Sequence, residues 1–242
     1  MTLRSDIRQM GLPGWLAYIS DRALSRLSRG RVRFVVIRLY LQPLPEEHLV
    51  PTKEGNNMRV GPISEDAFDA SAFGRPPDAI RDRFRDGSLC IAATKNDELL
   101  GFMWLQRGTL RERIVRCEMR AEPESRVAWD YDFFIQPRYR LGRLFGRLWD
   151  AGSCTLREMN IEATVSWIRL DNRASEQAHA RLGAKRIGWA AFLTVFGHQL
   201  MLSSFRPRAS YAAPNRRATL IVDVEDLLSS RSNRPGNNAV EN

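Results

Sequence analysis

The chain has 242 residues, of which 43% are hydrophobic, so it can bury a sizeable core and fits one α/β domain with extensions. Its formal net charge of +9 and pI of about 10.2 favour anionic partners, such as phosphate-bearing cofactors, nucleic acid or an acidic membrane surface. Its three cysteines share no metal-binding spacing and leave an odd number, which argues against a disulfide framework and favours a reducing compartment. The three histidines are too scattered to predict a metal site.

Residues 1–32 predict a basic amphipathic helix ahead of the main domain. Two uses of this helix stay open: shallow contact with anionic lipid, or docking on its own domain or on a second subunit of a homodimer. The segment has no apolar run long enough for a signal peptide or a membrane span, so we predict a cytoplasmic protein, with peripheral membrane contact left open. The predicted apolar face consists of Trp15, Leu16, Ile19, Ala23, Leu24 and Leu27, opposed by Arg22, Arg26 and Arg29.

The main domain is predicted to span residues 33–204 and to begin with mixed elements. Val32–Leu41 predicts a strand and Pro76–Phe84 a helix. Ser88–Ala93 and Leu99–Gln106 predict a hairpin, and the Gly- and Pro-containing stretch Pro51–Pro77 predicts a loop with at most one short helix.

Two strand-to-helix units follow. Trp129–Pro137 predicts a strand before a helix over Arg138–Trp149. Ala163–Leu170 predicts a strand before a helix that Asp171 and Asn172 cap and that Leu182 and Gly183 close. Two such units in tandem indicate adjacent parallel strands.

The last part of the chain predicts an antiparallel ending and an extension. Arg186–Phe196 and Gln199–Phe205 predict the final strands of the domain. Residues 205–242 form a C-terminal extension, in which Arg206–Arg217 predicts a linker, Ala218–Leu228 a strand and a turn, and Ser229–Asn242 disorder.

The start of the helix over Arg138–Trp149 suits a pyrophosphate. A helix N-terminus exposes unpaired N–H groups, and Arg140 and Arg143 add positive charge there. Gly142 and Gly146 would let a ligand approach the backbone. The alternative is a surface helix whose arginines are solvated.

Together the two units resemble the GNAT superfamily of acyl-CoA N-acyltransferases, over roughly residues 88–204. Ile135-Gln-Pro-Arg-Tyr-Arg140 matches the first part of one family motif, but the expected glycines three and five residues later are Arg143 and Phe145. A second motif is occupied by Asn172, Ser175, His179 and Gly183, with His179 where the family generally has a tyrosine.

The resemblance implies a mostly antiparallel, twisted α/β sheet, flanked by helices, with one parallel pair split around a pantetheine arm. It also implies acetyl-CoA or another acyl-CoA as co-substrate, no metal, and direct attack of an amine on the thioester. A strand bulge would splay the pair and supply oxyanion donors. The residues implied to contact the cofactor are Phe133, Phe134, Ile135, Arg140, Leu141, Gly142, Arg143, Leu144, Phe145, Asn172 and Ser175.

One residue is a candidate for the catalytic acid, and three are candidates for the base. His179 stands where the family's thiolate acid lies, and its alternative is a packing histidine without chemistry. The candidate bases are Asp130 and Asp132, which share one face of an alternating strand, and Glu118 on a neighbouring run. We prefer Asp132; its alternative is a strand-end carboxylate paired with an arginine.

These observations predict an N-acetyltransferase that acts on a primary amine of a small molecule. The alternative is a non-catalytic protein of the same fold that binds acyl-CoA or an anionic surface. Nucleic acid is not the expected partner, because the arginines are spread along the chain and do not interleave with aromatic residues on one segment.

Overall fold

The computed structural model describes residues 3–51, 58–140 and 143–232. Its centre is a nine-stranded sheet with the order β11-β10-β9-β1-β8-β7-β4-β3-β2, on which a three-stranded sheet, β12-β6-β5, packs. Neighbouring strands are antiparallel except the parallel pairs β7/β8 and β6/β12. The strands are β1 Val32–Pro43, β2 Met58–Ile63, β3 Leu89–Lys95, β4 Glu98–Arg107, β5 Thr109–Glu112, β6 Cys117–Glu122, β7 Val127–Ile135, β8 Ala163–Arg169, β9 Lys185–Val195, β10 His198–Ser203, β11 Ala209–Ala212 and β12 Ala218–Asp223.

Helices cover the other face and one end of the large sheet. The fold is therefore the predicted mixed α/β architecture, with a mostly antiparallel sheet flanked by helices. Short 3₁₀ turns lie at Glu65–Ala67, Ala70–Phe73 and Pro137–Tyr139. The α-helices are α1 Leu3–Met10, α2 Leu12–Leu27, α3 Pro77–Arg85, α4 Leu144–Glu158, α5 Arg173–Arg181 and α6 Glu225–Ser232.

Hydrophobic cores lie on both faces of the large sheet. Between the two sheets, alternate residues of β1 such as Ile37 and Leu39 pack with Trp129 and with Leu220 of β12. On the opposite face, α4 buries Leu148 and its neighbours against β4. The strand β7 contributes residues to both cores. A cavity along β7 would therefore lie between two packed layers.

Most predicted elements are confirmed. The predicted strand at Val32–Leu41 is β1, and the predicted hairpin is β3/β4, whose turn residues Asn96 and Asp97 both have positive φ (48° and 61°), as a tight hairpin turn requires. The tandem units are also confirmed, because β7 and β8 are parallel neighbours.

Several boundaries were wrong. The predicted loop Pro51–Pro77 contains β2, which pairs with β3 alone among the described strands and can therefore accommodate Pro62 at the edge of the sheet. The predicted linker contains β11, and the helix predicted from Arg138 begins at Leu144. Ser229–Ser232, predicted to be disordered, lie in α6, and the rest of that stretch lies outside the described residues.

The N-terminal helix α2 docks on its own domain, but not through its apolar face. Gly14 lies against the main chain at Leu170, where a Cβ would come within 2.5 Å of the carbonyl oxygen. The buried Asp21 carboxylate accepts hydrogen bonds from the Arg33 guanidinium at 2.8 and 3.0 Å and from the Phe34 amide at 2.9 Å. A polar anchor therefore faces inward, and apolar side chains face outward.

This orientation corrects the sequence interpretation of α2. Arg22 and Arg26 are exposed alongside the outward apolar residues and do not oppose them, while Leu24 is turned partly inward. Within the ranges that the structure describes, no helix is both long and apolar enough to cross a membrane.

Candidate active site

The parallel strands β7 and β8 separate halfway along their length. They pair only from Val127–Asp130 to Ala163–Ser166. Beyond this point β8 continues alongside β1, and β7 continues alongside β4. The register of β4 and β7 shifts between Phe102 and Trp104, and Asp132 adopts a φ of +44°, which marks a bulge. The predicted split of the parallel pair is therefore present.

A cavity of about 590 Å³ opens at this split. Its walls come from β7 and β8, from the start of α5, from β5 and the turn after it, and from the segment around α3. Its titratable and polar lining includes Arg75, Arg83, Glu112, Asp130, Asp132, Ser166, Asn172, Ser175 and His179. The tertiary fold thus brings both predicted catalytic side chains, His179 and Asp132, to one cavity.

His179 is buried at the apex of the split. Its Nδ1 donates to the Ser175 carbonyl at 2.9 Å, and its Nε2 lies 3.3 Å from Oδ1 of Asp130, whose Oδ2 accepts from the Ser166 hydroxyl at 2.5 Å. Burial works against a charged imidazole, but the hydrogen bond and the charge of Asp130 outweigh it and raise the pKa of His179 above 6.5. The same pair, against the same cost of burial, lowers the pKa of Asp130.

The cap of α5 sets the position of His179. The Asn172 side chain accepts from the Ser175 amide at 3.2 Å and so begins the helix, as predicted. His179 follows Ser175 by one turn and reaches the apex beneath Trp149, whose ring meets the imidazole edge-on with centroids 6.0 Å apart. Asn172 and Ser175 therefore place the histidine, whatever else they contact.

Asp132 is held by two arginines. Its Oδ1 accepts from Arg75 Nη2 at 2.6 Å and its Oδ2 from Arg83 Nη1 at 2.5 Å. Although burial opposes it, these contacts lower the pKa of Asp132. A carboxylate with a low pKa and both oxygens occupied is a weak base, so the alternative considered for Asp132, a paired structural carboxylate, describes what is found.

The expectation that Asp130 and Asp132 share one strand face was wrong. The bulge interrupts the alternation of β7, so Asp130 meets His179 of α5 while Asp132 meets Arg75 and Arg83 beside α3. Bulges depend on the pairing of two strands distant in sequence, which a period-two pattern does not reveal.

Glu112 is a cavity residue that the sequence interpretation missed. It lies at the end of β5, is 7% exposed, and its Oε1 accepts from the amides of Arg113 at 2.7 Å and Ile114 at 2.8 Å. Burial outweighs these hydrogen bonds and raises the pKa of Glu112. The sequence could have indicated this burial, because Glu112 lies two residues after Leu110 and alternate residues of a strand point to the same, here inward, face.

The third candidate base, Glu118, is placed elsewhere. Its side chain is 31% exposed, lies 3.7 Å from Arg111, and is not among the residues that line the cavity.

The residues predicted to hold the cofactor lie around the open end of the split. Phe133 and Phe145 pack with centroids 4.9 Å apart, Leu144 is buried in the core beneath them, and Phe134 lies under the Arg75 guanidinium. Leu141 and Gly142 lie outside the described residues.

The arginines at this end differ in their contacts. Arg143 is exposed at the N-cap of α4, where it can meet an anion. Arg140 instead donates from Nε to the carbonyl of Ile135 at 3.0 Å.

Gly146 does not offer open backbone. A Cβ at Gly146 would lie 2.4 Å from Cγ2 of Val50, because the segment carrying Val50 crosses α4 and its amide donates to Asp150. The expectation that a ligand approaches the backbone at Gly146 was therefore wrong, since the chain's own side chain fills that space. Among the described residues, no three His, Cys, Asp or Glu side chains are arranged to hold a metal ion.

Comparison with known proteins gives structural matches only. No family model and no curated protein matches the chain. The solved structures it resembles include a tandem GNAT protein from the clavulanic acid biosynthesis pathway, with a TM-score of 0.48 and 12% identity over 72% of this chain and 57% of that one. A proposed GNAT-family acetyltransferase from Novosphingobium aromaticivorans matches with a TM-score of 0.46 and 14% identity over 68% of this chain and 65% of that one.

A conserved protein of unknown function from Staphylococcus epidermidis matches at a TM-score of 0.45 and 11% identity, over 72% of this chain and 66% of that one. The chain thus spans less than two thirds of the length of these structures.

Proposed function

We propose that the protein is an acyl-CoA-dependent N-acyltransferase that moves an acetyl group from acetyl-CoA to a primary amine by direct attack. The observation that carries this proposal is the cavity at the split of β7 and β8, which is lined by both a buried carboxylate of raised pKa, Glu112, and a buried histidine of raised pKa, His179. Amide formation from a thioester requires a base and an acid, and a raised pKa strengthens Glu112 as a base and keeps His179 protonated to a higher pH.

The open edge of β7 suits the pantetheine arm. After Asp130, β7 is paired with β4 but no longer with β8, so the edge that faces the split can pair with an extended chain of amides, except at the Ile135 carbonyl, which accepts from Arg140. Phe133, Phe134 and Ile135 would provide those backbone contacts. Arg143 and the amides at the start of α4 would then meet the phosphates.

Glu112 is the proposed base. An amine substrate enters as an ammonium ion, and Glu112 takes its proton so that the nitrogen lone pair can attack the thioester carbon. A raised pKa makes a carboxylate a stronger base at neutral pH, and the two backbone amides that bind Glu112 both donate to Oε1.

His179 is the proposed acid. After the C–N bond has formed, the C–S bond breaks and a proton from the imidazolium goes to the departing thiolate, while the newly bonded nitrogen releases its second proton to solvent and solvent later reprotonates the imidazole. The distance from Nε2 to Oδ1 of Asp130, 3.3 Å, is longer than the roughly 2.8 Å of a strong charge-assisted hydrogen bond. Asp130 therefore stabilises the imidazolium but still allows it to donate the proton. Backbone N–H groups at the bulge around Asp132 would stabilise the oxyanion.

Binding and turnover test the proposal separately. Calorimetric titration with acetyl-CoA, CoA and a long-chain acyl-CoA should show binding that weakens about tenfold in Arg143→Ala, since an arginine contact to phosphate is lost. Arg157→Ala, in the last turn of the same helix, is the matched control and should bind normally. Release of free thiol from acetyl-CoA should then depend on an added primary amine; absence of binding to all three CoA compounds would refute the proposal.

The alternative, non-catalytic binding of acyl-CoA, has one observation in its favour. The space beside Gly146 is filled by Val50, so the turn before α4 departs from an open phosphate cradle. Under this alternative, acetyl-CoA would bind, but no amine from a broad panel of amino sugars, amino acids and polyamines would release thiol above the background rate.

A further inference from the structure

Large exposed hydrophobic side chains are concentrated on α2 and on the strands β9, β10 and β11. On α2, Leu12, Leu16, Ile19 and Leu27 are 56%, 51%, 41% and 86% exposed. With the exposed Ala23 they follow the spacing i, i+4, i+7, i+11, i+15, which is one continuous helical face. We call these five residues the outer stripe.

The outer stripe is not needed to hold α2 in place. Gly14 and Asp21 lie on the opposite face of the helix and make the docking contacts with Leu170 and Arg33. A surface helix normally buries its apolar face and solvates its polar face. Here the arrangement is reversed, so the stripe faces outward on a helix that is anchored by its other side.

A second exposed apolar group lies at the end of the stripe. Phe196, 60% exposed, occupies the tip of the β9/β10 hairpin with a φ of +47°, a conformation that is unfavourable for a bulky residue and that asparagine or glycine adopts more easily. Its amide donates to the carbonyl of Arg31 at 2.8 Å, and the Arg31 guanidinium lies 5.8 Å from its ring centroid. The hairpin thus carries Phe196 to the turn that follows Leu27.

The two stretches of sequence that carry these groups contain almost no acidic residue. From Ile7 to Pro45 the sole acidic residue is Asp21, which is buried, and from Gln177 to Val222 the sequence has none. The arginines beside the stripe and the hairpin, Arg22, Arg26 and Arg29, are exposed. A second copy of this surface would bring arginines against arginines, whereas an anionic surface would neutralise them.

We infer that the outer stripe and Phe196 form a docking surface for an anionic lipid membrane. Leucine, isoleucine and phenylalanine side chains would enter the boundary between headgroups and acyl chains, and the arginines would meet the lipid phosphates. Binding of this kind is shallow and reversible. It is independent of the proposed acyl transfer and would place the cavity beside a membrane.

The test uses the full chain and sedimentation with vesicles. Vesicles of phosphatidylcholine mixed with an equal amount of phosphatidylglycerol should retain the protein, and vesicles of phosphatidylcholine alone should retain at least about tenfold less, because each basic residue near an anionic surface strengthens binding several-fold. Raising the salt concentration should release the protein as the charges are screened.

Two variants remove the apolar contribution. Leu16→Gln/Leu27→Gln and Phe196→Asn should each lower the partition coefficient about tenfold, because an exposed apolar side chain no longer enters the membrane. Leu227→Gln, on α6, exchanges a side chain of similar exposure, 42%, outside this surface and should bind as the wild type does. All variants should keep the wild-type melting temperature or exceed it, since the changed side chains are exposed.

Several outcomes would overturn the inference. Equal binding to neutral and anionic vesicles, or unchanged binding of both variants, would show that this surface does not recognise anionic lipid. A stable dimer in solution that the same variants dissociate would assign the surface to a second copy, which Leu200, Leu202 and Tyr211 on the neighbouring sheet face would then help to cover.

Discussion

The cavity at the split of β7 and β8 and the docking surface around α2 use the same residue type in opposite ways. In the cavity, Arg75 and Arg83 are fixed between the Asp132 carboxylate and aromatic rings, with Arg83 lying 5.2 Å from the Trp104 centroid. At the docking surface, Arg22 and Arg26 are exposed. The comparison teaches that net charge alone does not show where the function lies: the half-buried Arg75 and Arg83 are bound to a carboxylate, whereas the exposed Arg22 and Arg26 are available to a partner.

Glu112→Gln should produce the largest effect and tests whether the cavity is catalytic. We expect kcat for amine acetylation to fall by about 10² to 10⁴, because the amide retains an acceptor for the Arg113 and Ile114 amides but cannot take a proton. Initial rates of thiol release measure this. Glu118→Gln, a partly exposed carboxylate outside the cavity lining, should leave kcat unchanged, and equal losses in the two variants would deny Glu112 a special role.

His179→Gln tests the cavity side of the comparison, because it replaces the buried imidazolium with a neutral amide. The raised pKa of His179 means that the imidazolium persists at pH values above its ordinary 6.5 and is lost as the pH rises through the folded-state pKa. Activity that needs this proton should therefore fall on the alkaline side, and the variant should lose about 10² in kcat together with that alkaline limb.

The pH dependence of folding stability distinguishes the chemical role of His179 from a purely structural one. The His179 and Asp130 pair stabilises the fold fully below the unfolded-state pKa of the histidine and loses that contribution as the pH rises through the folded-state pKa. Urea unfolding of wild type and His179→Gln should thus converge on the alkaline side. If the pH–rate profile of His179→Gln were identical to that of the wild type, His179 would have a packing role alone.

Asp21→Asn breaks the polar anchor of α2 and so separates the docking surface from the body of the protein. We expect a loss of about 2 kcal/mol in the free energy of unfolding, typical of hydrogen bonds to a charged group. The surface pair of Asp78 and Arg81 provides the control, because Asp78→Asn should change stability by less than about 0.5 kcal/mol. Similar values for the two variants would mean that Asp21 does not anchor the helix.

Phe196→Asn should change stability less than Asp21→Asn does, and it should stabilise the protein instead of destabilising it. Asparagine tolerates positive φ better than phenylalanine, so relief of the turn should raise the free energy of unfolding by about 1 kcal/mol. Thermal unfolding would register this as an increase of about 2–4 °C for a domain of this size. A decrease would indicate that the ring packs on the protein, which would weaken its assignment to the membrane.

Local sequence signals predicted the framework of the site well. Asn172 as the cap of α5, the tandem strands before α4 and α5, and the β3/β4 hairpin are all found where the pattern placed them. Each of these depends on residues within one turn of helix or within a pair of neighbouring strands.

Sequence patterns were less informative where contacts between residues distant in the sequence determine the surroundings of a side chain. Asp132 was preferred as the base because of its place along β7, but Arg75 and Arg83, 57 and 49 residues away in sequence, occupy its oxygens. Gly146 was expected to offer open backbone, but the segment that carries Val50 lies over it.

The amino-acid sequence by itself determined the alternation of strands and helices, the capping of α5 and the resemblance of the two strand-helix units to an acyltransferase, because periodicity and capping act between near neighbours. Only the tertiary structure decided which carboxylate is buried with a raised pKa and which face of α2 meets the protein. Burial of Glu112 and the pairing of Asp21 with Arg33 depend on long-range packing, and long-range packing sets both pKa and orientation.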